Sequence, residues 1–422
     1  MISCCGGAPA EGAPLSNHWL REPGRFVFVI AGTPLLRLRM DKIIVFILPV
    51  FVVLIGAEFA YGWFRQRNTY RLSDALSSLS QGLISQLLAL VTQLFQIGLY
   101  AVVFNALTST PNVRFWDTWY GWLIAIVLFD FFDYWLHRAG HECAVMWAAH
   151  VVHHQSQHFN FSTALRQEST VVLIGWIFYL PIAVIGVPPE QFGLAGLIVL
   201  LYQFWIHTEH VGKLGWFDRV FSSPSNHRVH HAVNDQYINK NYGGMFVIWD
   251  RMFGTFAEEK EPCVYGTRTP LRSWDPGWAI FAEYWSLVQA TRQAKGADKW
   301  RIWLKPPGWR PAGASGDLPG DIQADPSAPA FDLDAARRLY GESLASGAAI
   351  FAVVQFALMM GATAIYLWYA EELSYSTELG LTAIVVAGLW ALGAYLQRRV
   401  SVIPVILVDL AGVAAAVLMF RG

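Results

Sequence analysis

Charge is scarce in this sequence of 422 residues: Asp, Glu, Lys and Arg together make up 14%, against roughly 25% in soluble domains. The formal net charge is −1, so no field draws a polyanion, and nucleic acid is not expected as a partner. Cysteine is sparse too. Cys4, Cys5, Cys143 and Cys263 form no C-x-x-C pair, which argues against a thiolate metal site. No disulfide framework is supported, in keeping with a site on the reducing side of a membrane. There is no internal repeat. Residues 1–39 lack the charged start, compact apolar core and small-residue cleavage site of a signal peptide. They read as an unstructured N-terminal extension, with Met40 as the expected natural start.

Apolar residues are abundant at 55%, with 19 Trp and 27 Phe. A bilayer crossing needs about 20 apolar residues, and three runs suit it early in the chain: Ile43–Trp63, Leu87–Leu107 and Trp119–Leu136. Val171–Val187 and Gln191–Ile206 are shorter and separated by little more than Pro188, Pro189 and Glu190. They predict a hairpin that enters the bilayer and returns. Ala348–Tyr369, Leu379–Leu396 and Val402–Phe420 predict three more spans, read as a separate C-terminal bundle. The expected fold is all-α, a polytopic membrane helical bundle. Its divisions are 1–39, a membrane-embedded domain over 40–270, a linker over 271–345 with an interfacial helix near Trp278–Arg292, and the bundle over 346–422. Phe281 and Trp285 of that helix are placed on the membrane surface. Arg65, Arg67 and Arg71 follow the first run, and Arg398 and Arg399 follow the seventh. The preference for positive charge inside puts both clusters, and the material between His137 and His231, on the cytoplasmic face.

Eleven of the 12 histidines fall between positions 137 and 231. His137 and His141 form H-x-x-x-H. His150, His153 and His154 form H-x-x-H-H, as do His227, His230 and His231. His207 and His210 form H-x-x-H, and His158 stands alone. On a helix, positions i, i+3 and i+4 share a face, so imidazoles so spaced converge on a metal. The adjacent pair in H-x-x-H-H diverges by about 100° around the helix, so its two rings can serve neighbouring ions. Neutral imidazole suits Fe, Zn, Cu or Ni alike. A lone histidine at a membrane edge is ordinarily a polar anchor, which is the expectation for His158; His210 is a possible further ligand. Among the carboxylates, Asp130, Asp133, Glu142 and Glu209 stand near the motifs, and Asp133, Glu142 or Glu209 suit a hydrogen bond to a ligand imidazole.

These motifs, between membrane spans, resemble the fatty acid hydroxylase and sterol desaturase superfamily. The strings WAAHVVHHQSQHFNFSTALRQ, QFWIHTEHVGKLGWFD and SPSNHRVHHAVNDQYINKNYGGMFVIWDRMFGTF are similar to the alkylglycerol monooxygenase branch, over about residues 115–270. The resemblance implies a site of two iron ions and O2-dependent hydroxylation of a membrane lipid. In that branch it also implies tetrahydrobiopterin as electron donor and a glycerol ether lipid as substrate. The implied metal ligands are His137, His141, His150, His153, His154, His207, His227, His230 and His231. Asn226 stands where the branch often has a further histidine and is not expected to be a ligand. Asn160, Arg166, Gln167, Asn241 and Tyr242 lie beside the motifs, where Asn160 and Asn241 are expected to support ligands. The other readings are hydroxylation or desaturation of a fatty acid, sterol or carotenoid, a metal transporter, and a metal-dependent membrane hydrolase.

Overall fold

The computed structural model describes residues 40–92, 95–108, 113–311 and 330–421. The expectation for residues 1–39 lies outside them, as do residues 312–329 of the linker. The architecture is all-helical: among the described residues the only β-pairing is two isolated bridges, Phe221 with Phe246 and Ala232 with Tyr265.

Helix α1 (Met40–Phe64) is apolar on every side and is largely uncovered by protein, as suits a lipid-facing span. Helices α2 (Leu72–Val91) and α3 (Phe95–Leu107) replace the single span expected over Leu87–Leu107. The first of them ends where the Thr92 hydroxyl donates back to the Leu88 carbonyl at 2.8 Å, and the two axes differ by 42°. Most of α2 precedes the apolar run. It buries Ser73, Asp74, Ser77, Ser78, Ser80 and Gln81, a polar face that is satisfied by protein rather than lipid. Arg166 donates to Ser77, and Gln81 donates to the Pro276 carbonyl.

Helix α4 (Trp119–Glu142) starts at Thr118, whose hydroxyl accepts from the Gly121 amide at 3.1 Å. It stops at Cys143, whose extended backbone turns the chain into α5 (Ala144–His154). Packing α5 back against α4 brings two histidine motifs face to face. The run Val171–Val187 is helical over Val171–Ile185 but not regular: a 3-10 stretch, Gly175–Tyr179, lies between α-helical turns at Val171–Ile174 and Leu180–Ile185. After it, α6 (Pro189–Trp205) returns along α4 and releases the chain at His207. Tyr100, Phe104, Trp116, Tyr179, Ile182 and Phe192 fill the core between these elements.

Helix α7 (Pro224–His230) carries the third motif, capped by the Ser223 hydroxyl and begun by Pro224, which has no amide to leave unpaired. A helix, α8 (Pro276–Gln293), forms over the stretch near Trp278–Arg292, with Trp278, Phe281 and Trp285 exposed and Ile280 and Leu287 buried. Helices α9 (Ser346–Tyr369), α10 (Tyr375–Leu396) and α11 (Val402–Arg421) follow. The first two are not set apart from the rest: Phe356, Met359, Leu389 and Leu392 share one core with Leu76, Leu83, Ile84, Trp274 and Ile280.

Among the described residues, four helices are long and apolar enough to cross a membrane, within α1, α4, α9 and α10, or up to five if the bent α2–α3 pair counts as one. The chain is a multi-pass membrane protein.

Candidate metal centre

Nine of the clustered histidines converge in two groups. His137, His141, His150, His154 and His230 form one; His153, His207, His227 and His231 form the other. Within each group one nitrogen per ring lies within 4.8 Å of all the others. The adjacent pairs are divided as helix geometry requires: His154 and His230 point into the first group, His153 and His231 into the second. His158 and His210 belong to neither. The Tyr61 ring lies edge-on to the His210 ring.

The far nitrogens are held by fixed acceptors. His137 Nδ1 donates to the Tyr242 carbonyl at 2.7 Å, His153 Nδ1 to Arg166 at 3.0 Å, and His207 Nδ1 to Gln203 at 2.8 Å. His230 Nδ1 donates to the Lys240 carbonyl at 3.1 Å. Lys240 sits between Asn239 and Asn241, both left-handed with φ of 56° and 57°, a conformation asparagine tolerates better than most residues. His150 Nδ1 donates to a Glu168 carboxylate oxygen. Each such bond fixes the proton on Nδ1 and leaves Nε2 a bare lone pair aimed inward.

Those lone pairs fit a cation. His153 Nε2 and His207 Nε2 both lack a proton and stand 3.3 Å apart, a repulsive contact unless positive charge lies between them. His227 Nε2 lies 3.0 Å from His207 Nε2 and 3.1 Å from His231 Nε2. In the first group His150 Nε2 is 3.0 Å from His141 Nε2 and 2.9 Å from His154 Nε2. His137 Nε2 and His230 Nε2 are buried with no hydrogen-bond partner. With metal–nitrogen bonds of about 2.0–2.1 Å, as for zinc, two imidazoles on one ion stand about 3.0 Å apart at right angles and about 3.4 Å apart in a tetrahedron.

Electrostatics keep the rings neutral and able to donate. Burial pushes His150 down to about 3 and His153 to about 4. Burial also holds His154, His207, His227, His230 and His231 well below the ordinary imidazole range, and neighbouring histidines add to the effect. Two rings wall the groups: Trp147, whose centroid is 5.1 Å from that of His141, and Phe159, stacked 5.4 Å from His207.

The other expected residues have these partners. Asp133 accepts from the Tyr179 hydroxyl at 2.7 Å. Glu142 accepts from Arg138 at 3.0 Å and lies 3.5 Å from the Tyr242 hydroxyl. Asn160 caps the turn Phe161–Ala164 and donates to the Thr69 carbonyl. Glu209 lies in the field of Arg67 and Arg228, and burial pushes its carboxyl up. Asn241 donates to the Asn226 and Ala257 carbonyls. Asn226 donates to the Asp218 and Phe221 carbonyls. Asp130 accepts the Met245 and Phe246 amides and the Trp249 indole, tying α4 to the loop beyond the third motif. Arg166 spans α5, α2 and Gln155 while its carbonyl holds His153.

Glu168 is the residue that sequence reasoning missed. It follows Arg166-Gln167 in a loop of no fixed period, and its one signal is a carboxylate beside a stretch that flanks a histidine motif.

A family model described as fatty acid hydroxylase matches residues 122–255, the stretch from α4 through the third motif. The alkylglycerol monooxygenases of Danio rerio and Homo sapiens are each 34% identical to the chain, covering 83% of it and 77% of their own lengths. The ornithine lipid hydroxylase of Rhizobium tropici is 29% identical over 35% of the chain and 46% of its own. No solved structure matches. The similarity to the animal proteins runs well beyond the histidine motifs, and on that extent the chain belongs to the alkylglycerol monooxygenase family.

Proposed function

We propose that the chain hydroxylates the alkyl carbon next to the ether oxygen of a glycerol ether lipid, using O2 and electrons from a tetrahydropterin. The observation that carries this is the pair of imidazole groups, with bare, neutral lone pairs converging at the ends of α4, α5 and α7, in a chain of this family. His137, His141, His150, His154 and His230 would hold one iron ion, and His153, His207, His227 and His231 the other. When bound, the two ions supply the reduction of O2 and the oxidising power that the side chains lack.

The protein's part is placement. Five Nδ1–H donors to carbonyls and a carboxylate fix ring tautomer and direction before metal arrives. Trp147 and Phe159 limit water around the groups. α4 runs from the apolar layer to His137, and α6 leads to His207. An alkyl chain lying between them reaches the centre without crossing water, avoiding a cost of about 0.8 kcal/mol per CH2. In the balance of the reaction, one oxygen atom replaces hydrogen on the carbon as hydroxyl. The other leaves as water with two electrons from the pterin and two protons. The resulting hemiacetal breaks its carbon–oxygen bond to give a fatty aldehyde and the glycerol hydroxyl. The basic residues Arg65, Arg67 and Arg71 at the end of α1 favour a cytoplasmic centre.

Reconstituted, iron-loaded protein given O2, tetrahydropterin and matched lipids tests the reading. Fatty aldehyde from alkylglycerol, and none from acylglycerol or free fatty acid, is the expected result. A hydroxylated or unsaturated fatty acid or sterol, with alkylglycerol untouched, would transfer the chain to the sister activities of the superfamily.

A further inference from the structure

Helix α1 contributes no histidine, yet it buries a carboxylate. Glu58 stands six residues before the helix end, about 9 Å of helix rise inside the span, and is 6% exposed. An ionisable group there is costly and is retained where it has a task. Its oxygens take three donors from three segments. The Thr208 hydroxyl donates to Oε1 at 2.5 Å. The Tyr70 hydroxyl and the Phe161 amide, the latter at 2.8 Å, donate to Oε2.

Each segment leads to the second histidine group. Thr208 follows His207, and its hydroxyl also accepts the His210 amide at 3.2 Å. Phe161 lies two residues after Phe159, the ring against His207 and His231. Tyr70 adjoins Thr69, whose carbonyl takes the Asn160 side chain. The end of α1 also touches the His207–His210 loop closely: a side chain at Gly62 would stand 2.9 Å from the Arg67 carbonyl and 3.1 Å from His210 Nε2. Among the described residues, no comparable link runs from Glu58 to the first group, whose carboxylate is Glu168.

We propose that Glu58 is a positioning residue: its hydrogen bond from Thr208 fixes His207, and so sets the metal affinity of the second group alone. The inference rests on the ligand assignment above. His207 is the only histidine of its group outside α5 and the α7 motif: its Nδ1 bond to Gln203 orients the ring, and past the end of α6 the backbone that carries it is held through Thr208, by the Glu58 carboxylate at the hydroxyl and by Arg228 at the carbonyl. Losing such an outer partner typically lowers metal affinity about 10–100-fold.

The test is anaerobic titration of the full-length protein in detergent with ferrous iron against a competing chelator, for Glu58→Ala, Glu58→Gln, Thr208→Val and the double variant Glu58→Ala/Thr208→Val. Expected is about a 10–100-fold weaker second ion with the first unchanged. Glu58→Gln, which keeps an acceptor oxygen, should lie between Ala and wild type. The double variant should be no worse than Glu58→Ala, because both break one link. Thr208→Val carries the test if Glu58→Ala fails to fold. Two ions at wild-type affinity in Thr208→Val, or equal weakening of both ions, overturns the proposal. His137→Ala is the control: loss of the first ion alone upholds the ligand assignment, so a normal control with an unaffected Thr208→Val removes the role of Glu58 only. A control that keeps both ions overturns the assignment and the proposal together.

Discussion

Removing the Glu168 carboxylate should loosen one ion and spare the other. His150 is 4% exposed and Glu168 keeps 23% of its side chain reachable, so water can approach the glutamate far more readily than the imidazole. In Glu168→Ala the His150 Nδ1–H loses its acceptor inside the site, and the ring is free to turn or to change tautomer. The second effect is electrostatic, since the charge that strengthens the ring as a donor disappears. Together these should weaken the ion in the His137 group about 10–100-fold, or about 1.4–2.8 kcal/mol at 1.4 kcal/mol per factor of ten. Glu168→Gln keeps a carbonyl to accept from Nδ1 and removes only the charge, so its loss should stay at the lower end, about 10-fold or less. Competition between the anaerobic protein and a ferrous chelator reads both ions. Wild-type affinity in Glu168→Ala would show that the Glu168–His150 contact does not support the centre.

Three further outcomes are expected. Metal-free protein should lose thermal stability as pH falls from about 6.5 toward 4: burial depresses His150 to about 3 and His153 to about 4, so the unfolded chain binds more protons in that window; a melting temperature that holds or rises on acidification contradicts it. His158→Ala and His210→Ala should each retain two ions by elemental analysis, because neither ring joins a group; loss of a whole ion from either would redraw the site. In a cysteine-free background, Lys260→Cys, at an exposed position, should resist an impermeant thiol reagent in intact cells and react once the membrane is opened; labelling from outside would invert the topology.

The grouping of the histidines was legible because its information is local. A helix turns about 100° per residue, so the adjacent pairs His153–His154 and His230–His231 already specify two destinations, and the structure divides them that way. What joins residues far apart was not legible. Glu58 meets Tyr70, Phe161 and Thr208 across 12, 103 and 150 residues, and nothing in an apolar run marks one glutamate as their common acceptor. Helix α2 escaped for the opposite reason: its serines look like solvent-facing loop, yet Ser77 and Ser78 are buried by protein. Apolar content alone could not tell a straight span from the bend after Thr92 or from the 3-10 stretch inside Val171–Ile185, since length and hydropathy carry no record of where one helical hydrogen-bond pattern gives way to another.

Oxidation is expected at the carbon beside the ether oxygen, and isotope placement tests this most directly. Iron-loaded protein should be given alkylglycerol carrying two deuterium atoms on that carbon, with O2 and tetrahydropterin, and the released chain analysed by mass spectrometry. Hydroxylation replaces one of the two, so the expected product is a fatty aldehyde retaining a single deuterium, formed with matching O2 consumption and absent in His230→Ala. Release of a fatty alcohol carrying both deuterium atoms, without O2 uptake, would mean that the ether is hydrolysed and not oxidised.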